Sequence, residues 1–214
     1  MDLEQMLYQV GVVPVIKMDS VEHAVPLARA LASGGLAAAE ITFRSAAASG
    51  AIRAIAREVP ELFVCAGTVL TPETAREAVQ AGAQAVISPG LNLETVRWCV
   101  SRSVPVIPGT ATPSEVEMCM REGLGLVKLF PAEVVGGIAM LKALAGPYAD
   151  MKFMPTGGVK PGNVKEYLSQ GNVTACGGTW IVPGELLEAG KFDEIERLAR
   201  EAAQLRDQVR GQGR

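Results

Sequence analysis

Lys128 lies in the run Leu126-Val127-Lys128-Leu129-Phe130-Pro131, which otherwise has the length and composition of a buried strand. An ammonium in such a place is costly unless it is paired, reaches water or gives up its proton. No carboxylate is close in sequence before Glu133, beyond the proline. A lysine pushed toward the neutral form is a nucleophile for carbonyl carbon, the basis of Schiff-base catalysis. A strand-end lysine can also pack its stem and send its head group to water, so this residue alone leaves both readings open.

A second group is Glu40-Ile41-Thr42-Phe43-Arg44. Period-two alternation puts Glu40, Thr42 and Arg44 on one face of a strand and Ile41 and Phe43 on the other. Glu40 is suited to proton transfer and Arg44 to gripping a carboxylate or phosphate. A structural Glu40–Arg44 ion pair fits the same pattern. By the same alternation Leu126, Lys128 and Phe130 share a face, with Phe130 either an apolar wall beside an imine or an ordinary core aromatic. Thr156-Gly157-Gly158 and Gly177-Gly178-Thr179 add two glycine pairs next to hydroxyls, and exposed backbone N–H groups of that kind receive anions. Ala66-Gly67-Thr68, Ser88-Pro89-Gly90 and Pro108-Gly109-Thr110 leave room for a small polar substrate.

Other chemistries have few residues to work with. His23 is the only histidine, and Cys65, Cys99, Cys119 and Cys176 are widely spaced, reading as small buried hydrophobes. A histidine-rich metal site cannot be assembled, so carbonyl chemistry here is expected to need neither metal nor cofactor. The net charge of −3 comes without a basic cluster, which excludes nucleic acid and anionic membranes as natural partners. No apolar run reaches membrane-spanning length and the N-terminus lacks a secretion pattern, so a cytoplasmic location is expected.

The elements that must position these residues recur regularly. Apolar runs at Val12–Lys17, Ala37–Phe43, Leu62–Val69, Ala85–Pro89, Val104–Pro108, Leu126–Phe130, Lys152–Pro155 and Val173–Val182 are separated by amphipathic segments. Most are unbroken, as parallel strands covered by helices require. Thr112-Pro113-Ser114-Glu115 is a capping box with proline at the first helical position, and Thr71-Pro72-Glu73 opens a helix similarly. Gly34-Gly35, Gly82 and Gly123 stand where helices should stop. Eight such units predict a single α/β domain over residues 1–214, a (β/α)8 TIM barrel; an open doubly wound sheet is the competitor. Leu3, Met6, Leu7 and Val10 predict an extra N-terminal helix closing the bottom of the barrel. Ile195, Leu198, Ala199, Ala202 and Leu205 predict a long final helix, with residues from about 209 to 214 a frayed tail. In such barrels the site lies at the C-terminal strand ends, with phosphate commonly held after strands seven and eight.

Together these segments resemble the 2-keto-3-deoxy-6-phosphogluconate (KDPG) aldolases, class I enzymes related to the 4-hydroxy-2-oxoglutarate aldolases. The match spans almost the whole chain, through Val12 to Ile16, Glu40 to Arg44, Ala66 to Leu70, Ile87 to Gly90, Ile107 to Gly109, the specific phrase Lys128-Leu129-Phe130-Pro131-Ala132-Glu133, Pro155 to Gly158 and Gly177 to Trp180. The resemblance implies that Lys128 forms the Schiff base and Glu40 is the acid/base. It implies that Arg44 and Thr68 bind the pyruvate half, that Pro89 and Phe130 line its pocket, and that Gly157, Gly158, Gly178 and Thr179 hold the phosphate. Thr156 resembles the gluconate-type enzymes, whereas galactonate-type relatives carry an apolar residue there. The implied reaction is reversible cleavage of the phosphorylated 2-keto acid to pyruvate and glyceraldehyde 3-phosphate, with 4-hydroxy-2-oxoglutarate a second substrate yielding glyoxylate. The implied assembly is a homotrimer. Thr179 departs from the serine associated with the family, and Thr110-Ala111-Thr112 also departs from its wording. A phosphosugar isomerase or epimerase, or a non-catalytic phosphosugar-binding barrel, are the rival readings, and neither has a use for Lys128.

Overall fold

In the computed structural model, which describes residues 2–211, parallel strands alternate with helices along the chain. The strands are β1 (Val12–Ile16), β2 (Ala38–Thr42), β3 (Phe63–Gly67), β4 (Ala85–Ile87), β5 (Val106–Ile107), β6 (Gly109–Thr110), β7 (Leu126–Leu129), β8 (Lys152–Pro155) and β9 (Cys176–Gly178). The helices are α1 (Leu3–Val10), α2 (Ala24–Ser33), α3 (Ala48–Glu58), α4 (Pro72–Ala81), α5 (Leu93–Val100), α6 (Pro113–Arg121), α7 (Gly137–Ala145), α8 (Val164–Leu168), α9 (Gly184–Glu188) and α10 (Phe192–Arg210).

The sheet is curled and entirely parallel, in two segments ordered β5-β4-β3-β2-β1-β9 and β6-β7-β8. The architecture is therefore α/β with a parallel, curled sheet covered by helices. Only Pro108 separates β5 from β6. Parallel bridges Phe153↔Val173 and Thr156↔Gly177 link β8 to the segment leading through β9. Of the expected final run, only Cys176–Gly178 is strand, because the chain turns at Thr179 and Trp180 before Pro183.

Alternation within each strand divides the core. One buried cluster lies inside the curl and joins Val13, Ala38, Cys65, Ile87, Ile107, Leu126, Met154 and Ala175. Leu7 and Val10 of α1 belong to that cluster, so this helix seals its N-terminal end as the apolar stripe predicted. A larger cluster fills the layer between strands and helices. There α10 packs on α2 so closely that a Cβ on Gly34 would lie 2.5 Å from that of Ala199.

Local signals act as anticipated. Thr112 and Glu115 form a reciprocal capping box, and Thr71 caps α4 by accepting from the Thr74 amide at 3.2 Å. Gly82 ends α4 at φ 106°, in the left-handed region that glycine occupies without a Cβ penalty. The tail differs from expectation, since α10 continues through Val209 and Arg210. Arg210 donates to the carbonyls of Thr174 at 2.9 Å and Val173 at 3.3 Å, and lies 3.9 Å from the Tyr8 ring centroid. These contacts hold the helix end against α1 and the strand edge. The rest of the expected frayed segment, 212–214, lies outside the described residues.

Candidate active site

Lys128 Nζ donates to Glu40 Oε1 at 3.1 Å and to Oε2 at 3.4 Å, across 88 residues of sequence. The lysine is 4% exposed and the glutamate 1%. Glu40 comes from β2, between Val15 of β1 and Cys65 of β3; Lys128 comes from β7, between Gly109 and Met154. The alternative pairing of Glu40 with Arg44 does not form. Arg44 Nε instead donates to Thr42 Oγ1 at 3.1 Å, and Thr42 itself donates to the Ile16 carbonyl at 2.9 Å.

Glycine makes the pair possible. A Cβ on Gly67 would lie 2.3 Å from Glu40 Oε1, so the carboxylate occupies space that the next strand vacates. Taking two charges out of water is expensive even when they are paired, and a well-packed apolar pair would commonly be as stable. A buried ion pair in the wall of a cavity is a candidate functional site. The Phe130 ring centroid lies 5.4 Å from Lys128 Nζ. Phe130 thus flanks the ammonium and is not part of either buried core.

The pair opens into a cavity of about 250 Å³ that is lined by Glu40, Arg44, Thr68, Pro89, Lys128, Phe130, Thr156, Gly157, Gly158 and Thr179. Ten of the eleven expected residues therefore converge. Thr68 adopts φ 56°, an uncommon conformation for a β-branched residue, and such strain persists where surrounding structure enforces it. Ser88 Oγ bonds the Gly90 carbonyl at 2.7 Å and so fixes the turn carrying Pro89.

Gly178 is the residue that departs. A side chain on it would meet the Trp180 ring at 2.0 Å, whereas Gly177 faces the cavity and Thr156. Period-two alternation explains this: if Thr179 points inward, Gly177 does too and Gly178 points away. The same rule could have identified Gly177, as it did place Thr42 on the face of Glu40 and Arg44. Val15 and Val159 also line the cavity, and nothing in their residue type signals it.

At one end of the cavity Gly157 and Gly158 turn with φ 96° and 84°. The carbonyls around this turn are occupied. Thr156 O accepts from Ala132 N at 2.8 Å, Gly157 O from Glu133 N at 3.1 Å, and Gly158 O from Asn163 Nδ2 at 3.1 Å. The amides of Gly158, Val159 and Thr179 have no acceptor among the described residues. Free amides on a glycine turn are an anion receptor.

The thiol beside the pair is disabled as a nucleophile. Burial, reinforced by the neighbouring Glu40 carboxylate, pushes the Cys65 thiol far up, so beneath the ion pair it stays protonated. Among the described residues no group of three or more His, Cys, Asp or Glu side chains is arranged to hold a metal ion. The arrangement offers an amine, an adjacent proton carrier, a guanidinium without a carboxylate partner among the described residues, and an anion receptor. That set is suited to imine chemistry on a doubly anionic keto acid.

Residues 3–198 match the family described as "Aldolase: KDPG and KHG aldolase". The KHG/KDPG aldolase of Escherichia coli K12 is 48% identical over 201 residues, covering 94% of each chain. The 2-dehydro-3-deoxy-phosphogluconate aldolase of Treponema pallidum is 46% identical over 199 residues, covering 93% of this chain and 95% of its own. In three dimensions, the KDPG aldolase of Legionella pneumophila superposes with a TM-score of 0.90 at 38% identity, over 94% of this chain and 97% of that one. That crystal structure holds pyruvate captured at low pH as a covalent carbinolamine intermediate.

Proposed function

The chain belongs to the KDPG and KHG aldolase family, and we propose that it performs the family's cleavage through an imine on Lys128. It is a class I aldolase that reversibly splits KDPG into pyruvate and glyceraldehyde 3-phosphate. The observation that carries the assignment of roles is the buried 3.1 Å contact between Lys128 Nζ and Glu40 Oε1 at the cavity wall.

The proton inventory of that pair suits the reaction. Transfer of one proton from Lys128 to Glu40 leaves a free amine and a carboxylic acid. The amine adds to the C2 ketone, and Glu40 gives its proton to the carbinolamine hydroxyl, which leaves as water. The product is a protonated imine beside a carboxylate. Glu40 then takes the C4 hydroxyl proton, the C3–C4 bond breaks, and its electrons flow to the iminium nitrogen. Glyceraldehyde 3-phosphate departs, Glu40 protonates C3 of the enamine, and water releases pyruvate and the lysine.

Arg44, whose guanidinium has no carboxylate partner among the described residues, grips the C1 carboxylate with Thr68, while Pro89 and Phe130 wall the pyruvate half. The Gly157–Gly158 turn and Thr179 receive the phosphate, and Gly177 takes the place expected of Gly178 in lining that end. Thr156 stands between the two halves and faces the C4 substituents. A second substrate, 4-hydroxy-2-oxoglutarate, has the same pyruvate end; the E. coli relative is named for both activities. Borohydride reduction in the presence of pyruvate should fix a stable adduct on Lys128. An unmodified Lys128 under turnover conditions would defeat the assignment and return the isomerase and binding-protein readings.

The strands are best read as one closed (β/α)8 barrel forming a single domain over residues 1–214. The parallel bridges Phe153↔Val173 and Thr156↔Gly177 and the one-residue gap between β5 and β6 support that reading. The trimeric assembly implied by the family is consistent with exposed Leu70, Met118 and Val134, apolar side chains of the kind a subunit interface covers. Sedimentation equilibrium tests it, three chain masses being the expected result. We place the enzyme in the cytoplasm.

A further inference from the structure

Glu133 lies outside the cavity lining and is exposed, yet its surroundings are built around it. A Cβ on Gly158 would lie 2.3 Å from Glu133 Cγ and 2.7 Å from its Cβ. A Cβ on Gly137 would lie 2.7 Å from the Tyr167 hydroxyl and 3.1 Å from Glu133 Oε1. Two glycines from separate segments, with φ 84° and 53°, thus leave room for one side chain and its partner. The partner is Tyr167 of α8, fully buried, whose hydroxyl donates to Glu133 Oε1. Burial and this carboxylate push the Tyr167 phenol up, so it remains a donor. An ordinary surface glutamate needs neither a buried anchor nor two vacated positions.

We propose that Glu133 is a positioning residue: anchored by Tyr167, it holds the Gly157–Gly158 turn in the shape that receives the phosphate end of the substrate. The proposal rests on the assignment of that turn to phosphate. Glu133 acts through two contacts. Its backbone N–H ties the Gly157 carbonyl at 3.1 Å, and its aliphatic stem lies against Gly158. With the Asn163 amide on the Gly158 carbonyl, these contacts fix the peptide planes and leave the Gly158 and Val159 amides for the ligand. Preorganised donors bind an anion better than donors that must be ordered on binding. The carboxylate itself, close to where a phosphate sits, is no help to binding. Its value is as the acceptor of the tyrosine hydroxyl, a role a neutral amide oxygen also fills.

Kinetics on KDPG and on its dephosphorylated form test the inference with the full-length enzyme. Glu133→Ala and Tyr167→Phe should raise KM for KDPG roughly two- to tenfold, the effect of the one hydrogen bond that each removes. The kcat, the kcat/KM for the dephosphorylated substrate and the yield of the pyruvate adduct should stay near wild type. Glu133→Gln should restore the wild-type KM or lower it, because the acceptor remains and the repelling charge is gone. Equal losses on both substrates in Glu133→Ala and Tyr167→Phe would show a general structural role and overturn the proposal. If wild type prefers the phosphorylated substrate and these two variants keep that preference undiminished, the role of Glu133 alone falls. If wild type shows no preference, the phosphate assignment of the turn falls with it.

Discussion

At the scale of single residues, Lys128 and Glu40 are recognisable in the chain for different reasons, one as a charge in an apolar run and the other by alternation in its strand. Their contact is not recognisable, because 88 residues separate them and no local rule links β2 to β7. The buried ammonium finds its carboxylate across the curl of the sheet, not in the nearby Glu133. Lys128→Met should abolish both turnover and the borohydride adduct, which mass spectrometry of the reduced protein checks. Glu40→Gln should lower kcat by about 10²–10⁴, the usual worth of a general acid–base group, while prolonged incubation still yields an adduct. Gly67→Ala is a more discriminating test, since its new methyl would come within 2.3 Å of Glu40 Oε1 and displace the carboxylate. An alanine is otherwise acceptable in a strand, so a folded protein with kcat lower by about a hundredfold is expected, as small displacements of catalytic groups produce. An unchanged kcat would show that the observed Glu40 position is not needed.

At the scale of elements, the helix starts were the most legible features because capping chemistry is local. Thr71 and Thr112 cap their helices through their own next-turn amides. Strand ends were harder to read. The run Val173–Val182 looks continuous in residue type, but its second half turns to form one edge of the cavity, with Thr179 inward and Trp180 covering Gly178. The loop after β3 carries a different kind of cost at Thr68, with φ 56°. A left-handed conformation costs a non-glycine residue about 1–2 kcal/mol, and glycine's own entropic handicap is roughly 0.5–1 kcal/mol. Thr68→Gly should therefore leave the melting temperature unchanged or slightly higher while raising KM for substrate. A clear drop in melting temperature would mean that the threonine side chain stabilises the loop through contacts that outweigh the strain.

At the scale of the whole molecule, the buried thiols set an alkaline limit. Burial pushes Cys99 from 9.0 to about 11 and Cys119 from 9.0 to about 12, and it moves Cys176 up as well. Above the ordinary thiol value the unfolded chain loses protons that the folded chain keeps. The unfolded state then binds fewer protons, so stability falls as pH rises. The contribution is intact below pH 9.0 and declines through about 11 to 12. Denaturant unfolding between pH 7 and 11 should show this decline, with a shallower slope in Cys119→Ala. A wild-type curve flat to pH 11 would contradict it. At the same scale, no described helix is long and apolar enough to cross a membrane. The first and last described helices are tied to the N-terminal side of the curled sheet, α1 through Leu7 and Val10 and α10 through Arg210.

The amino-acid sequence alone determined the order of elements, the helix caps, the inward face of the strands carrying Glu40 and Lys128 and the residue types capable of imine chemistry, since all of these follow from spacing, propensity and alternation along a local stretch of chain. Tertiary structure decided the rest. It brought Glu40 to Lys128 and left Arg44 on Thr42, kept Val209 and Arg210 in the helix, and set Glu133 against the glycine turn. Each of these depends on which strands and loops become neighbours when the sheet curls, and on which glycines vacate space for the side chain opposite. Those distances belong to no single segment of the sequence.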